Sequence, residues 1–148
     1  MLTVTSVSAM RDLGAAIAEK FRAGDLIVLS GDLGAGKTAL TQGIGSALGI
    51  NDITSPTFVI SRVHKGKIPL IHVDAYRLMG NKNANFEFDD LDIDTSIKDA
   101  ITVIEWGDSV APRLMDEYLL IKIEFGEGES ERLVSATGHG LRWQGFTL

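Results

Sequence analysis

The chain has 148 residues, of which 45% are hydrophobic, and its formal net charge at pH 7 is −6. This length and composition fit a single domain, which we expect to span residues 1–148. The acidic balance argues against a general binder of nucleic-acid backbones, because such proteins need a basic face that releases counterions. If nucleic acid is involved, we expect a partner to hold it.

The cysteine and histidine content limits the kinds of cross-link and metal site that the chain can form. The sequence has no cysteine and three scattered histidines, which excludes disulfides and thiolate metal sites and provides no zinc-binding set. No stretch approaches the roughly 18 uninterrupted apolar residues of a membrane span, and the first residues lack the basic and apolar regions of an export signal. We therefore expect a cytoplasmic protein that does not contact a membrane.

The first predicted elements are a helix and a buried strand. Apolar residues recur at helical spacing from Met10 to Phe21, after a possible cap at Ser8, and Gly24 is predicted to end the helix. The apolar segment DLIVLS, residues 25–30, then predicts a buried strand.

A second helix is predicted directly after a glycine-rich loop. Leucine and isoleucine recur every four residues from Leu40 to Leu48, and Gly49 closes the pattern. Gly43 and Gly45 weaken such a helix by about 1 kcal/mol each relative to alanine. Close packing of this helix on a sheet would explain both glycines.

The remainder of the chain is rich in predicted strands. TFVISRVHKGKIPLIHVD, residues 57–74, is typical of a hairpin that turns at HKGK, and AITVIEWG, residues 100–107, of a short apolar strand. Residues 118–138 predict two more strands around a Gly/Glu/Ser turn. The order of elements indicates an α/β fold with a mixed central sheet flanked by helices.

The glycine-rich loop carries the most specific motif. GDLGAGKT, residues 31–38, matches G-x-x-x-x-G-K-[ST] and lies between a predicted strand and a predicted helix, which indicates a P-loop NTPase-like domain. In such a loop, backbone N–H groups and the positive end of the helix bind phosphate oxygens. Lys37 adds a mobile positive charge, and Thr38 offers a hydroxyl to a Mg²⁺ ion that bridges the β- and γ-phosphates.

Magnesium also needs an acidic residue, usually at the end of a neighbouring strand. Glu105 closes the apolar segment ITVIE and Asp74 closes PLIHVD, so either carboxylate can reach the loop at the carboxyl edge of the sheet. The alternative is that each acid simply ends its strand in solvent. Trp106, which follows Glu105, is interpreted as a packing residue.

The sequence favours ATP over GTP. A guanine-reading Asn-Lys-x-Asp is nearly present in NKNA, residues 81–84, but alanine stands where the aspartate is required. A small-molecule kinase would need lid and acceptor-binding insertions, for which the chain has little room. The acidic run EFDDLDID, residues 87–94, lacks the glycine and glutamate of a calcium-binding loop, and it is interpreted as a solvated segment or a docking surface.

Four segments together resemble the TsaE (YjeE) family. They are GDLGAGKT, SPTF at residues 55–58, HVDAYR at residues 72–77 and IEWG at residues 104–107, and the resemblance runs from about Ser6 to Arg132. It implies a bacterial ATPase that is required to make threonylcarbamoyladenosine in tRNA. The family acts with TsaD and TsaB after another protein has made threonylcarbamoyl-adenylate, and ATP hydrolysis is expected to reset that assembly.

The resemblance also implies roles for particular residues in catalysis and metal binding. Lys37, Asp74 and Glu105 would be catalytic, and Thr38 with Glu105 would bind Mg²⁺. Asp74 would position the attacking water or a metal-bound water, unless it instead makes a structural bond to Tyr76 or Arg77. The residues that would hold the phosphates are Gly34, Ala35, Gly36, Lys37, Thr38 and Ala39.

Three further assignments follow from the resemblance. Thr57, in SPTF, would belong to the first switch, Val7 would lie at the adenine, and Arg132 would make another nucleotide contact. The chain departs from the usual family pattern at Ala39 and Met10, where threonines are common, and these changes concern the base pocket more than the magnesium site.

Two classes of function remain open at this point. In the first, the protein is an ATPase whose hydrolysis resets a tRNA-modifying assembly. In the second, it is a nucleotide-gated binding module in which occupancy by ATP matters and turnover is incidental. A small-molecule kinase is a third and weaker alternative.

Overall fold

The structure, a computed structural model, describes residues 1–51, 53, 61–64, 66–75, 97–106 and 111–148. Several sequence-based expectations concern residues outside these ranges. They are the switch residue Thr57, the NKNA segment, the acidic run at residues 87–94, and the possible Asp74 partners Tyr76 and Arg77.

Within the described residues, seven strands form one sheet in the order β1-β7-β6-β2-β5-β4-β3. The strands are β1 (Leu2–Val4), β2 (Leu26–Ser30), β3 (Ser61–His64), β4 (Leu70–Asp74), β5 (Ile101–Glu105), β6 (Tyr118–Phe125) and β7 (Arg132–His139). The helices are α1 (Val7–Ala18), α2 (Lys37–Ala47), the short α3 (Ala111–Leu114) and a 3₁₀ turn (Leu141–Trp143).

The sheet is mixed, as the sequence predicts. Strands β6, β2, β5 and β4 run parallel to one another, whereas β7, β1 and β3 pair antiparallel with their neighbours. The predicted hairpin is present as β3 and β4. The three-residue strand β1 was not predicted, because so short a segment carries no usable period and depends on β7 for its pairing.

Each face of the sheet carries a hydrophobic core. Residues of β2 alternate between the two, since Ile27 and Leu29 belong to the core that includes α1 and α2, whereas Leu26 and Val28 belong to the other. Strand β2 is buried almost throughout, as expected for a central strand covered on both faces.

The helix ends differ slightly from the predictions. Ser6, not Ser8, caps α1, and its hydroxyl oxygen accepts a hydrogen bond from the Ala9 N–H at 3.0 Å. Helix α1 ends at Ala18, so the prediction that it continues to Gly24 is wrong, and Phe21 contributes to the core from beyond the helix. Helix α2 ends at Ala47 with Leu48 as its C-cap, and Gly49 follows with a φ of 80°, so the prediction that this glycine closes the helix is confirmed.

The glycines of α2 pack against helix α1 and a following segment, so the expectation that they pack on the sheet is wrong. A Cβ atom on Gly43 would collide with the backbone of Arg11 in α1, and one on Gly14 in α1 would collide with the Leu40 carbonyl oxygen. Gly45 instead faces the side chain of Ile53. Small residues therefore let α1 and α2 approach closely.

The end of the chain is anchored to the amino end of β2. The Arg142 guanidinium donates two hydrogen bonds to the buried Asp25 carboxylate, at 2.9 and 2.7 Å. Trp143 makes edge contacts with the rings of Phe21 and Phe146. This tail carries no recognisable sequence pattern. Across the described ranges, no helix combines the length and apolar character needed to span a membrane.

Candidate nucleotide-binding site

The glycine-rich loop joins the carboxyl end of β2 to the start of α2. It therefore lies at the edge of the parallel strands where α/β proteins bind ligands. Gly34 and Gly36 have φ angles of 81° and 116°, in the region that glycine occupies readily and other residues avoid. Gly36 is also the N-cap of α2 and makes no side-chain capping bond. The first N–H groups of α2, which have no intrahelical partners, suit an anion at this position.

Lys37 is held in place inside this loop. Its side-chain nitrogen donates hydrogen bonds to the carbonyl oxygens of Gly31 and Asp32, at 2.6 and 3.0 Å, and lies 4.2 Å from the centre of the Trp106 ring. The residue is only 6% exposed. The expectation of a mobile charge is thus wrong for this structure, because the loop carbonyls and the indole already surround the ammonium group.

The charge of Lys37 is sensitive to its surroundings. Burial lowers its pKa from the usual value of 10.5, while the carboxylates of Glu105, Asp32 and Asp74 act in the opposite direction. The site therefore combines a partly desolvated cation with three neighbouring acids.

Two of these acids lie side by side at the edge of the sheet. The register of β4 and β5 pairs Asp74 with Glu105, and that of β2 and β5 pairs Leu29 with Glu105. In-register neighbours on parallel strands direct their side chains to the same face. Glu105 is 4% exposed, so the alternative in which it only ends a strand in solvent is wrong. Asp74 is half-buried.

Glu105 is hydrogen-bonded to a histidine. The Nε2 atom of His72, on β4, lies 2.9 Å from the Oε2 atom of Glu105. Both side chains are almost completely buried. One of the two acids at the sheet edge is therefore bonded to a buried imidazole on the neighbouring strand.

The oxygen donors of the site fit a magnesium ion. The described ranges contain no group of three or more His, Cys, Asp or Glu side chains that could hold a metal without help. A nucleotide-bound Mg²⁺ does not require such a group, because it keeps several waters and is bound by phosphates with one or two carboxylates. The Thr38 hydroxyl, in the first turn of α2, and the Glu105 and Asp74 carboxylates at the sheet edge offer oxygen atoms of the type that Mg²⁺ prefers.

Comparison with known proteins agrees with this geometry. The sequence profile of the family described as "Threonylcarbamoyl adenosine biosynthesis protein TsaE" matches residues 4–134. The chain belongs to the TsaE family.

Relatives of this TsaE-family chain cover most of its length. A Streptomyces coelicolor protein named "tRNA threonylcarbamoyladenosine biosynthesis protein TsaE" is 48% identical over 141 residues, which are 90% of this chain and 93% of that protein. A Bacillus subtilis protein of the same name is 37% identical, over 82% of this chain and 74% of its own. The crystal structure of Bacillus subtilis YdiB superposes with a TM-score of 0.78 at 29% identity, covering 97% of this chain and 87% of that one.

The two residues outside the loop that were expected to contact the nucleotide, Val7 and Arg132, differ in their relation to the loop of this TsaE-family chain. Val7 is the first residue of α1 and is 59% exposed. Arg132 is the first residue of β7, and its Nε atom donates to the Ala35 carbonyl oxygen at 3.2 Å. The Arg132 guanidinium also lies 4.5 Å from the centre of the Phe125 ring. Arg132 therefore supports the loop directly, whereas Val7 lies at an exposed helix start.

Of the two departures from the usual TsaE pattern, Met10 has a visible packing role. Its side chain is 2% exposed, and its terminal methyl lies 3.3 Å from the point that a Cβ on Gly36 would occupy. Met10 thus forms an apolar contact beneath the loop. Ala39 lies one residue beyond Thr38 in α2 and is partly buried against the core.

Sequence reasoning missed two residues of the site. His72 was not singled out, although it stands two positions before Asp74 on one strand and must share its face. Trp106, interpreted as packing, has a φ of 63°, which is unusual for a bulky residue, and its N–H donates to the Leu29 carbonyl at 3.0 Å. The acid-then-tryptophan pair was visible in the sequence, but its backbone conformation was not.

A cleft of about 420 Å³ adjoins the loop on the side of Trp106. Its lining residues are Ser30, Gly31, Asp32, Trp106, Lys122, Ile123, Glu124 and Phe125. The tryptophan that contacts Lys37 therefore also lines a space open to other molecules.

Proposed function

We propose that residues 1–148 act as one ATP-binding and ATP-hydrolysing domain in the biosynthesis of threonylcarbamoyladenosine in tRNA. The names of the TsaE relatives support the pathway. The single observation that carries the nucleotide chemistry is the buried Lys37 at the start of α2, with Glu105 and Asp74 close enough to influence its charge.

The loop and helix supply the phosphate contacts. In this proposal, backbone N–H groups of residues 34–39 bind the β- and γ-phosphate oxygens, and Lys37 exchanges its loop carbonyls for phosphate. Thr38 and Glu105 would hold a Mg²⁺ ion, which would supply positive charge against the phosphates. Asp74, beside Glu105, orients the attacking water.

The base is expected to be adenine, near Val7 at the start of α1. The NKNA segment offers no aspartate for guanine, and Arg132, bonded to the Ala35 carbonyl, is placed to make a further nucleotide contact at the loop. ATP and Mg²⁺ are therefore the proposed cofactors.

Hydrolysis by the isolated domain is expected to be slow. Arg132 donates to the carbonyl oxygens of Ala35, Glu129 and Glu131 and so braces the loop, and in this proposal the arginine finger comes from a partner. In related nucleotide hydrolases, an arginine placed against the γ-phosphate adds roughly 10³–10⁵ in rate. We propose that a TsaB–TsaD pair stimulates turnover and that tRNA is contacted through these partners.

The test measures turnover and modification separately. ATP hydrolysis is measured with and without TsaB, TsaD and tRNA, for wild type and for Asp74→Asn and Glu105→Gln. Each variant should lose the stimulation while still binding the partners in the presence of ATP. Multi-turnover tRNA modification is then compared with ATP and with a non-hydrolysable analogue supplied to this component. If the analogue supports as many rounds as ATP, the protein is a nucleotide-gated binding module and hydrolysis is not its function.

A further inference from the structure

His72 is a polar residue in the interior of the sheet, where burial of an imidazole is costly unless its nitrogens are hydrogen-bonded. It is fully buried in β4, and its ring makes one hydrogen bond, from Nε2 to the Glu105 Oε2 atom at 2.9 Å. The other ring nitrogen, Nδ1, is buried and has no hydrogen-bond partner within the described part of the chain.

The hydrogen bond fixes where the imidazole carries its proton. An ionised carboxylate only accepts hydrogen bonds, so Nε2 must be the donor. A second proton on Nδ1 would be a buried donor without an acceptor, which is costly. The geometry is therefore that of an imidazole whose Nε2 carries a proton and donates it to the Glu105 carboxylate.

A purely structural role explains this arrangement poorly. An apolar side chain of similar size would fill the same space without burying a nitrogen that has no partner among the described residues. What an apolar residue would not do is bond to Glu105, which is itself 4% exposed and close to Lys37. The hydrogen bond between His72 and Glu105 is thus explained by its effect on the position of the Glu105 carboxylate.

We propose that His72 is a positioning residue that holds the Glu105 carboxylate for the magnesium ion of the bound nucleotide. The bond engages Oε2 and leaves Oε1 for the ion or one of its waters. This inference rests on the proposed function, because it assumes that Glu105 serves the magnesium site. Hydrogen-bond partners that orient metal ligands commonly account for about 10- to 100-fold in metal affinity.

Two substitutions separate positioning from packing. The amide nitrogen of His72→Gln can take the place of Nε2, whereas the shorter side chain of His72→Asn corresponds to Nδ1 and does not reach Glu105. The readout is Mn²⁺ affinity of the protein–ADP complex, measured by electron paramagnetic resonance, together with ADP affinity in EDTA by calorimetry. We expect His72→Asn to weaken Mn²⁺ binding by about 10- to 100-fold and His72→Gln to restore it. ADP affinity in EDTA should be unchanged in both variants.

Thr102→Val provides a matched control. Thr102 lies on the neighbouring strand β5, is fully buried, and has a hydroxyl without a partner among the described residues. Valine keeps its shape, and Thr102 faces the side of the sheet opposite to Glu105, so this variant changes a buried polar group of the same strand without touching that carboxylate. Its Mn²⁺ affinity should equal that of wild type.

A measurement on the wild type does not depend on how the variants fold. Nitrogen-15 spectra of the imidazole should show the proton of His72 on Nε2, and its signals should shift when Mg²⁺ is added to the ADP complex. An Nε2 atom without a proton, or no response to Mg²⁺, overturns the inference. So does a folded His72→Asn with wild-type Mn²⁺ affinity. Wild-type protein that binds no ADP in either condition would overturn the proposed function as well, which separates the two failures.

Discussion

The side-chain nitrogen of Lys37 lies 4.2 Å from the centre of the Trp106 ring, so the loop lysine and the residue after Glu105 are in direct contact. An ammonium group over an indole face is attracted by the ring quadrupole, more strongly where water is excluded. The left-handed backbone of Trp106 turns the chain immediately after β5, where the ring meets the lysine. A ligand that draws Lys37 toward phosphate must therefore change the environment of this ring.

Fluorescence of Trp106 should report nucleotide binding. Trp143, which lies far along the chain in an aromatic cluster with Phe21 and Phe146, is first replaced by Trp143→Phe so that one tryptophan remains. We expect saturating Mg-ATP to change the Trp106 emission, because the ammonium leaves the ring. The change should be absent at saturation when Lys37→Met is added. An equal change in that double variant would show that the ring senses something other than Lys37.

Lys37→Ala should weaken Mg-ATP binding by about 10- to 100-fold, since hydrogen bonds to charged groups contribute about 1.5–3 kcal/mol. The fold should persist, because the substitution removes a buried charge and leaves the core of α2 intact. Calorimetry measures the affinity and circular dichroism the fold. Lys122→Ala is the matched control, as this lysine lines the adjoining cleft but is exposed and paired with Glu124. Similar losses in the two variants would indicate a general charge effect and not a specific contact.

Binding of ATP at alkaline pH should take up protons. Burial lowers the pKa of Lys37 below 10.5, and bound phosphate would raise it again by favouring the charged form. Between the lowered and the raised pKa, the free protein holds fewer protons than the complex, so binding is linked to uptake. At a pH well below the lowered pKa, Lys37 is charged both in the free protein and in the complex, so it contributes no proton uptake.

Calorimetry in buffers of different ionisation enthalpy measures this uptake, at pH about 9 and about 7. The uptake by Lys37 should be larger at the higher pH. Lys37→Arg should abolish it, because the guanidinium stays protonated throughout. Equal uptake by wild type and Lys37→Arg would assign the protons to another group.

Gly43→Ala should destabilise the protein even though alanine favours helices. Helix propensity alone predicts a gain of about 1 kcal/mol. The added methyl, however, would collide with the Arg11 backbone in α1, and such overpacking typically costs about 1–3 kcal/mol. Urea unfolding measures the difference in free energy. Gly45→Ala is the comparison, because its methyl would meet the movable end of the Ile53 side chain. The loss of unfolding free energy should therefore be smaller in Gly45→Ala than in Gly43→Ala. A Gly43→Ala protein at least as stable as Gly45→Ala would contradict the close α1–α2 contact.

The sequence by itself determined the elements whose signals are local. The phosphate loop was predictable because residues 31–38 carry the whole motif between an apolar strand and a periodic helix. Asp74 and Glu105 could be named for a similar reason, since each ends an apolar segment. The mixed sheet followed from the order of such segments. The ends of α1 were less predictable, because Ser6 and not Ser8 caps it and because it ends at Ala18, well before Gly24.

The tertiary structure decided which distant residues meet. His72 and Glu105 are 33 positions apart, and Arg132 and Ala35 are 97 apart. The register of β4 on β5 determines the contact between His72 and Glu105. The contact between Arg132 and Ala35 depends on the pairing of β7 with β6. The burial of Lys37 and its contact with Trp106 likewise depend on β5 lying beside β2. Strand pairing joins backbones through hydrogen bonds that every residue type can make, so the pairing partner and register depend on packing of the whole sheet and not on a local sequence pattern.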